Sequence, residues 1–494
     1  MSSLNPISDE PLSATVVEEE SQESSSPPVN GAGGLMSILL QHLRLSPERG
    51  TLRFRFQHGI SWNVVGAIIN NGANFLTNVA IANLLGRELF GGYGMVQSTL
   101  TTFVGIAQAA GGITATRYVS EFRATNKERA GRILGLCAAT TAITGLVCTC
   151  LILSCTPWLA RTTLHASFLI RPLQIGAAVI FFTVVNAYQM GALAGLESYR
   201  EWAIANGLQG PVQLGICGLL TWRWGLQGAV TGLLATAAIR WLILHIALRR
   251  EANKQGINVN YSGLWQERVI LFRFALPAAL SSLSAAPAIW LGNTFLIHQV
   301  RGYSQLALFS AALNLKNVVL FLPMLMNNVG TSLLNNHRDP TNRLQYRKIF
   351  WTNATLTASA VLGGAVVVGL GRNYLLRLYG KTFPEGREIL LVLLCAAIVE
   401  TVAMSFYQVI QSEEKMWLSL LAVMLPRDIA LAAFAYWLTP AYGALGLGLS
   451  HLIAWILCST VILIVVSRMS LSPQKQPPPL LGVLPMVNVY EGDA

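Results

Sequence analysis

Long apolar runs separated by short loops dominate the sequence, and this alternation limits what the chain can fold into. The run from Gly91 to Thr116 contains no Asp, Glu, Lys or Arg, and it is longer than the ~20 residues that a helix needs to cross a bilayer. Only 12% of the residues are charged and the mean hydropathy is +0.50, whereas soluble domains are about 25% charged. The sequence therefore predicts an all-α polytopic membrane protein.

The apolar runs predict about twelve transmembrane helices. Their ranges are 59–84, 93–116, 133–156, 170–194, 201–221, 225–248, 269–298, 303–333, 349–370, 388–411, 416–438 and 441–467. An even number of spans places both termini on one side of the membrane. That side carries 22 Lys and Arg residues and the other side carries nine, so the positive-inside rule predicts that both termini are cytoplasmic. The same rule accounts for the net charge of +11, and no nucleic-acid partner is predicted.

The segments outside the spans differ in composition. Residues 1–33 contain six acidic and no basic residues, which is typical of a disordered acidic tail. Residues 34–58 form an amphipathic and basic juxtamembrane segment, and residues 468–494 a second disordered tail. The seven cysteines all lie inside apolar runs, where cysteine usually serves as a small packing residue. We predict no metal site and no cofactor.

An internal repeat relates the two halves of the sequence. The Trp-Gly-x-x-Gly motif at 224–228 recurs as Tyr-Gly-x-x-Gly at 442–446, a spacing of 218, while Pro211 and Pro426 are 215 residues apart. Regular turns in any twelve-helix protein would produce some such coincidences, but several spacings that agree within a few residues favour a duplication.

A duplication of six spans predicts two lobes of six helices each. They are an N-lobe at 59–248 and a C-lobe at 269–467, joined by a cytoplasmic linker at 249–268. Because six is even, both lobes enter the membrane from the same side and are related by a pseudo-two-fold axis along the membrane normal.

Five charged residues lie near the middle of predicted spans. They are Arg240, Lys316, Glu400, Arg427 and Asp428. A charge at this depth costs several kcal/mol, so each must face a cavity or a partner. Either they form a transport site, or pairs such as Lys316 with Glu400 only hold helices together. Because Arg427 and Asp428 are adjacent in the sequence, we expect their side chains to point to different places.

Two further features have both a functional and a structural interpretation. Arg117, at the cytoplasmic end of the second span, is either an anchor or a gate cation for an anionic headgroup. Asn70, Asn74 and Asn78 recur every four residues and share one helix face, where they either bond to other helices or line an aqueous path for sugars. The single histidines His245 and His451 are interpreted as packing residues, with a proton-sensing role as the alternative.

Several classes of enzyme lack support. The sequence has no Walker loop, no glycine-rich nucleotide fingerprint, no Gly-x-Ser-x-Gly and no His-Glu-x-x-His, so ATP-driven or hydrolytic chemistry is not indicated. The longest predicted outer loop, 371–387, is too short to fold as a catalytic domain. The chain is predicted to be a transporter and not an enzyme.

The stretch around the second span resembles Wzx-type polysaccharide flippases of the multidrug/oligosaccharidyl-lipid/polysaccharide (MOP) exporter superfamily. The likeness rests on Phe-Gly-Gly-Tyr-Gly at 90–94, Thr-Ala-Thr-Arg-Tyr-Val-Ser-Glu-Phe-Arg at 114–123 and Arg-Ala-Gly-Arg-Ile-Leu at 129–134. It implies a MATE/MOP-like fold of two six-helix lobes and alternating access. It also implies movement of undecaprenyl-pyrophosphate-linked oligosaccharide across the bacterial inner membrane for O-antigen or exopolysaccharide export.

The resemblance further implies a cationic lumen and coupling to H+ or Na+. Taking the positions from their depth in the spans, we assign substrate contacts to the cations and the asparagines and ion coupling to the acids. The substrate residues are Arg117, Arg240, Lys316, Arg427, Asn70, Asn74 and Asn78, and the coupling residues are Glu400 and Asp428. The implied partners are the lipid-linked cargo, the bilayer, a polysaccharide polymerase and a chain-length regulator.

Two alternatives remain open. A MATE-like drug/cation antiporter would need acidic sites for cationic drugs, whereas the mid-membrane cations outnumber the acids three to two. A membrane polymerase or ligase for the same sugars would need catalytic residues in a long outer loop. A lipid II flippase fits less well, because that family has fourteen spans.

Overall fold

The computed structural model describes residues 52–108, 111–267, 285–336, 343–412 and 418–471. In these ranges the chain is helical and contains no strand. The predicted tail at 1–33, most of the juxtamembrane segment and the first part of the predicted C-lobe lie outside the described residues.

The described part of the chain forms eleven α-helices, joined by short 3-10 and π-helical turns. They are α1 Leu52–Ala107, α2 Gly111–Phe122, α3 Lys127–Trp158, α4 Ile170–Gly195, α5 Tyr199–Lys254, α6 Ala285–Ile297, α7 Gly302–Asn336, α8 Arg343–Leu370, α9 Arg372–Arg377, α10 Arg387–Ser412 and α11 Leu425–Leu471. We call residues 52–267 the N half and residues 285–471 the C half.

Three of these helices contain a glycine kink at or close to the predicted boundary between two spans. Gly86 in α1 has φ 73°, Gly225 in α5 has φ 57° and Gly443 in α11 has φ 56°. Positive φ values of this size favour glycine because it lacks a Cβ atom. In α5 the kink lies at the boundary of two predicted spans, while α1 and α11 each contain one predicted span and part of another, one on each side of the kink.

The internal repeat has a structural counterpart at two of these kinks. Gly225 and Gly443 have nearly the same backbone angles, with ψ −135° and −131°. Three residues later, a Cβ atom on Gly228 would overlap the carbonyl oxygen of Leu220, and one on Gly446 would overlap that of Leu438. The same close approach in both halves supports a duplication.

The helices are of the lengths and composition that a membrane protein needs. Seven helical segments in the described ranges are long and apolar enough to cross a membrane. Two of them, Tyr199–Lys254 and Ser419–Arg468, each contain a kink glycine and all or most of two predicted spans. The protein is thus an all-α polytopic membrane protein, while the exact count of twelve spans stays a prediction.

Packing is mainly within each half. In the N half, α5 packs on α1 and α4, and α4 also packs on α2 and α3; in the C half, α11 packs on α6 and α10, and α7 packs on α8 and α10. Between the halves, α1 packs on α6 and α7. This arrangement agrees with two lobes that meet through α1, and the lobe boundaries themselves stay predictions.

The described part of the predicted linker is attached to the N half. Residues 256–261, which we call the strap, follow the end of α5 and lie on α3. The backbone N–H of Asn260 donates to the carbonyl of Gly131, 3.2 Å away. A Cβ atom on Gly131 or Gly135 would overlap a strap carbonyl oxygen, so these glycines permit the close contact.

Candidate functional site

Lys316 on α7 and Glu400 on α10 form an ion pair inside the C half. The Lys316 ammonium is 2.6 Å from Oε2 of Glu400, and Lys316 is 4% exposed. This is the pairing that the sequence left open as the structural alternative. Removing either partner would leave the other charge buried without compensation, which is strongly unfavourable.

Arg427 and Asp428 form a second ion pair at the start of α11. Both Nε and Nη2 of Arg427 donate to Oδ1 of Asp428, at 2.8 and 2.6 Å. The guanidinium also lies 4.8 Å from the ring centroid of Trp455, a cation–π geometry. The expectation that these adjacent side chains diverge is wrong, because the long Arg427 side chain folds back onto the next residue.

The two ion pairs lie on α7, α10 and α11, three helices that pack on one another. We refer to Lys316, Glu400, Arg427 and Asp428 as the charged cluster. It brings together α7, α10 and α11, and its formal charges balance.

One oxygen of the charged cluster is not used by the ion pairs. Oδ2 of Asp428 is buried and has no hydrogen-bond partner among the described residues. Most buried polar atoms in proteins have a partner. An ionised carboxylate oxygen accepts hydrogen bonds and binds cations, so this atom has the chemistry needed to bind a proton or a sodium ion.

The other two predicted cations lie in the N half. Arg240 on α5 donates from Nη2 to Oδ1 of Asn206, 2.9 Å away, and its Nε is buried without a partner among the described residues. Arg117 on α2 is exposed, with its guanidinium 5.7 Å from the ring centroid of Tyr118. Only two of the four predicted cations therefore belong to the charged cluster.

The asparagine face on α1 is half-buried and partly satisfied by its own helix. Asn78 donates from Nδ2 to the carbonyl oxygen of Asn74 at 3.0 Å. Oδ1 of Asn70 is buried and has no partner among the described residues. The predicted sugar-contacting role stays a prediction.

Side chains in the last ten residues of α1 join the two halves. Trp290 donates to Oγ1 of Thr99 at 3.0 Å, and Asn293 donates to Oγ of Ser98 at 2.9 Å. Thr102 donates to the carbonyl oxygen of Ala286 at 3.2 Å. Sequence reasoning missed these three contacts, since serine and threonine are common in membrane helices and give no spacing signal.

The halves are also joined at the ends of the helices away from the basic loops, which we call the outer end. Arg87 pairs with Glu385 at 2.5 Å and donates from Nε to the carbonyl of Ser304 at 3.2 Å. The hydroxyl of Tyr303 donates to the carbonyl of Leu164 at 2.7 Å.

Two exposed histidines also meet at the outer end. Nδ1 of His165, in the N half, is 3.0 Å from Nε2 of His298, in the C half. Neither histidine stood out in the sequence, because the two are 133 residues apart.

Comparison with known proteins gives a family and a curated relative. The family model for polysaccharide biosynthesis proteins matches residues 56–333. The EPS I polysaccharide export inner membrane protein EpsE of Ralstonia nicotianae is 22% identical over 424 residues, which cover 82% of this chain and 92% of the relative.

Solved transporter structures share the fold. An inward-facing multidrug resistance MATE family transporter of the MOP superfamily has a TM-score of 0.66 and 16% identity, covering 81% of this chain and 94% of that one. The outward-facing conformation of such a transporter has a TM-score of 0.60 and 17% identity, covering 84% and 96%. A MOP superfamily transporter from Pyrococcus furiosus has a TM-score of 0.63 and 17% identity, again covering 84% and 96%.

Proposed function

The chain belongs to the polysaccharide biosynthesis protein family, and from this premise we propose that it is a flippase of the bacterial inner membrane. Its cargo is an oligosaccharide repeat unit linked to undecaprenyl pyrophosphate, moved from the cytoplasmic to the outer leaflet for polysaccharide export. The observation that carries the proposal is the buried charged cluster inside a MOP-type helical fold. The export function named for the relative from Ralstonia supports the choice of cargo.

In this proposal the two halves work by alternating access. The cross-half contacts of the described residues lie at the outer end and in the last ten residues of α1, for example Tyr303 with Leu164 and Trp290 with Thr99. In the proposal, the state in which these contacts are made is the one that is open toward the basic loops. We place those loops in the cytoplasm, where the cargo is assembled.

The charged cluster couples ion binding to the capture of the anionic cargo. In the paired state Glu400 and Asp428 compensate Lys316 and Arg427. Binding of H+ or Na+ to an acid neutralises it and leaves the neighbouring cation buried without a partner, which costs several kcal/mol. A pyrophosphate removes that cost through charge-assisted hydrogen bonds. The ion and the cargo thereby favour the same state of the protein.

The N half contributes contacts along the path. Arg117, exposed on α2, meets the pyrophosphate at the cytoplasmic entrance. Arg240 and the asparagine face of Asn70, Asn74 and Asn78 contact the cargo within the membrane, where amide groups suit sugar hydroxyls. The polyprenyl chain stays in the lipid. A polysaccharide polymerase and a chain-length regulator act on the product.

Translocation in proteoliposomes tests the proposal. We expect Lys316→Ala to remain folded in the membrane but to lose translocation of lipid-linked oligosaccharide, and Lys316→Arg to keep part of it. Lys381→Ala is the matched control, because Lys381 is exposed near the outer end. Full activity of Lys316→Ala would remove Lys316 from the site.

A MATE-like drug/cation antiporter is the second candidate, favoured by the free Oδ2 of Asp428 and by the solved structures. Proteoliposomes that exchange cationic drugs for H+ or Na+, but do not move lipid-linked oligosaccharide, would establish it. The polymerase or ligase alternative gains no support from the outer segment 371–387. There, Tyr379 and Phe383 are buried and Glu385 is paired with Arg87.

A further inference from the structure

A separate cavity of about 560 Å³ lies in the N half, away from the charged cluster. Its walls come from α3, α4 and the end of α5, and the strap closes one side. The walls are apolar and aromatic over most of their surface, with Ala142, Phe181, Trp241 and Leu248 among the lining residues. Cavities of this volume are typical of small-ligand sites in proteins.

The cavity is outside the proposed transport path. None of its described lining residues belongs to α1, α6 or α7, the helices through which the two halves meet. The ion pairs and the asparagine face are absent from its walls as well. A ligand bound here would therefore touch only the N half.

Several polar side chains also line this mainly apolar space, namely those of Tyr188, Gln189, His245, Arg249, Asn253, Asn258 and Tyr261, and two of them carry the argument. Gln189, which is 2% exposed, lines the cavity, and its Oε1 has no hydrogen-bond partner among the described residues. A donor from water or from a ligand would satisfy this acceptor, because an unsatisfied buried oxygen costs about 1–3 kcal/mol. Arg249 brings a positive charge at the open side, and no acid is found among the described lining residues.

The strap holds the cavity in a preformed shape. It is fixed to α3 at Gly131 and Gly135, as described above. Beyond it, Glu267 is 6% exposed and accepts hydrogen bonds from Nε and Nη2 of Arg129, at 3.0 and 3.1 Å. A bidentate arginine–carboxylate pair is among the stronger polar contacts in proteins. The strap is thus held on α3 by its own contacts with Gly131 and Gly135 and, beyond its end, by the pair of Glu267 with Arg129.

We propose that this cavity binds the headgroup region of an anionic phospholipid that carries hydroxyl groups, of the phosphatidylglycerol type. Arg249, at the end of the last predicted N-lobe span, pairs with the phosphodiester. A glycerol hydroxyl donates to Oε1 of Gln189. The first methylene groups of the acyl chains lie against Trp241 and Phe181, and the rest of the chains extends into the bilayer. Because the cavity is lined only by the N half and lies away from the charged cluster, the proposed occupant is a membrane lipid and not the cargo.

Binding here acts on the strap, because the strap residues Ile257, Asn258 and Val259 form part of the wall. An occupied cavity stabilises the attachment of the predicted interlobe linker to the N half. Lipids of the leaflet at the basic end thereby stabilise the N half without competing for the transport path.

Native mass spectrometry of the full chain in detergent tests the proposal. The probes are phosphatidylglycerol, phosphatidylcholine and phosphatidic acid with the same acyl chains. Since charge-assisted contacts are the stronger ones, we expect phosphatidylglycerol to be retained at least about fivefold better than phosphatidylcholine. Arg249→Gln abolishes this preference, and Arg250→Gln keeps it, because the exposed neighbour Arg250 does not line the cavity.

A second variant tests the role of Gln189 as the acceptor for the lipid hydroxyl. Gln189→Leu removes the preference for phosphatidylglycerol over phosphatidic acid, which lacks the terminal hydroxyl groups, while binding of both lipids through Arg249 persists. Equal loss in Arg249→Gln and Arg250→Gln, or equal retention of phosphatidylglycerol and phosphatidylcholine, overturns the proposal. Equally tight binding of soluble glycerol 3-phosphate, or displacement by undecaprenyl phosphate at equal concentration, also overturns it.

Discussion

The ion pair of Lys316 with Glu400 decides how the charged cluster responds to substitution. Glu400→Gln leaves a buried ammonium without its partner, and breaking a buried pair in this way costs about 3–5 kcal/mol. We expect this variant to lose more thermal stability than the double variant Lys316→Gln/Glu400→Gln, which removes both charges. Thermal unfolding in detergent measures the difference.

Glu388→Gln is the control for this cycle, because Glu388 is an exposed acid on the same helix, α10. It should unfold like the unsubstituted protein. If the double variant were less stable than Glu400→Gln, the two charges would not act as a pair.

Asp428 has a different role, since Oδ1 accepts from Arg427 and Oδ2 is free of partners among the described residues. Asp428→Asn removes the negative charge that would attract H+ or Na+. We expect translocation by this variant to lose its response to an imposed proton or sodium gradient. Measurement in proteoliposomes with and without each gradient checks this, and an unchanged gradient response would assign the coupling elsewhere.

At the scale of single residues, the sequence predicted how deep the charged side chains lie in the membrane but not which side chains they pair with. Lys316, Glu400, Arg427 and Asp428 stood out because charges are rare in apolar runs. Their pairing depends on how α7, α10 and α11 are rotated and packed, which hydropathy does not record. The interpretation of His451 as a packing residue agrees with its burial and with its ring contact to Phe309, whose centroid is 5.5 Å away.

At the scale of helices, the glycine kinks require the absence of a side chain. Gly225 and Gly443 both have positive φ, which costs other residues about 1–2 kcal/mol. At Gly443 a Cβ atom would also overlap Oε1 of Gln305, which accepts from the backbone N–H of Ala444 at 2.7 Å. We therefore expect Gly443→Ala to lower thermal stability more than Gly225→Ala does.

A glycine without either constraint supplies the control. Gly363 lies within α8, and a Cβ atom there would meet nothing within 4 Å. Gly363→Ala should leave stability unchanged or raise it by up to about 1 kcal/mol, because alanine favours helix more than glycine does. Equal losses in all three variants, measured by thermal unfolding, would contradict the assigned geometry.

The helices also show which structural features the sequence pattern could predict and which it could not. The repeated motifs at 224–228 and 442–446 predicted turns between spans, and the structure places a kink there within one long helix. The glycines in the sequence indicate where the chain bends. Whether the helix ends there or continues through a kink depends on the backbone angles at those residues. The strap was predicted only as part of a linker, because its contact with Gly131 and Gly135 depends on tertiary packing.

At the scale of the whole molecule, the two halves are held at the outer end by side chains far apart in the sequence. His298 is 2.6 Å from the carbonyl oxygen of Thr294 through Nδ1, so this nitrogen carries the proton and donates. Nε2 of a neutral His298 is then an acceptor, and His165 donates to it from Nδ1. The hydrogen bond between the two histidines therefore depends on the lone pair of Nε2 of His298.

Because two imidazole nitrogens face each other 3.0 Å apart across the halves, a zinc ion should clamp them. Zinc binds imidazole nitrogens at about 2.0–2.1 Å, so only a small adjustment is needed.

We expect zinc added on the outer side of proteoliposomes to slow translocation in the unsubstituted protein, since the clamp keeps the outer end closed. His298→Phe should transport in the presence of zinc. Equal inhibition of the protein and of His298→Phe would show that zinc acts at another site and that closure of the outer end does not limit transport.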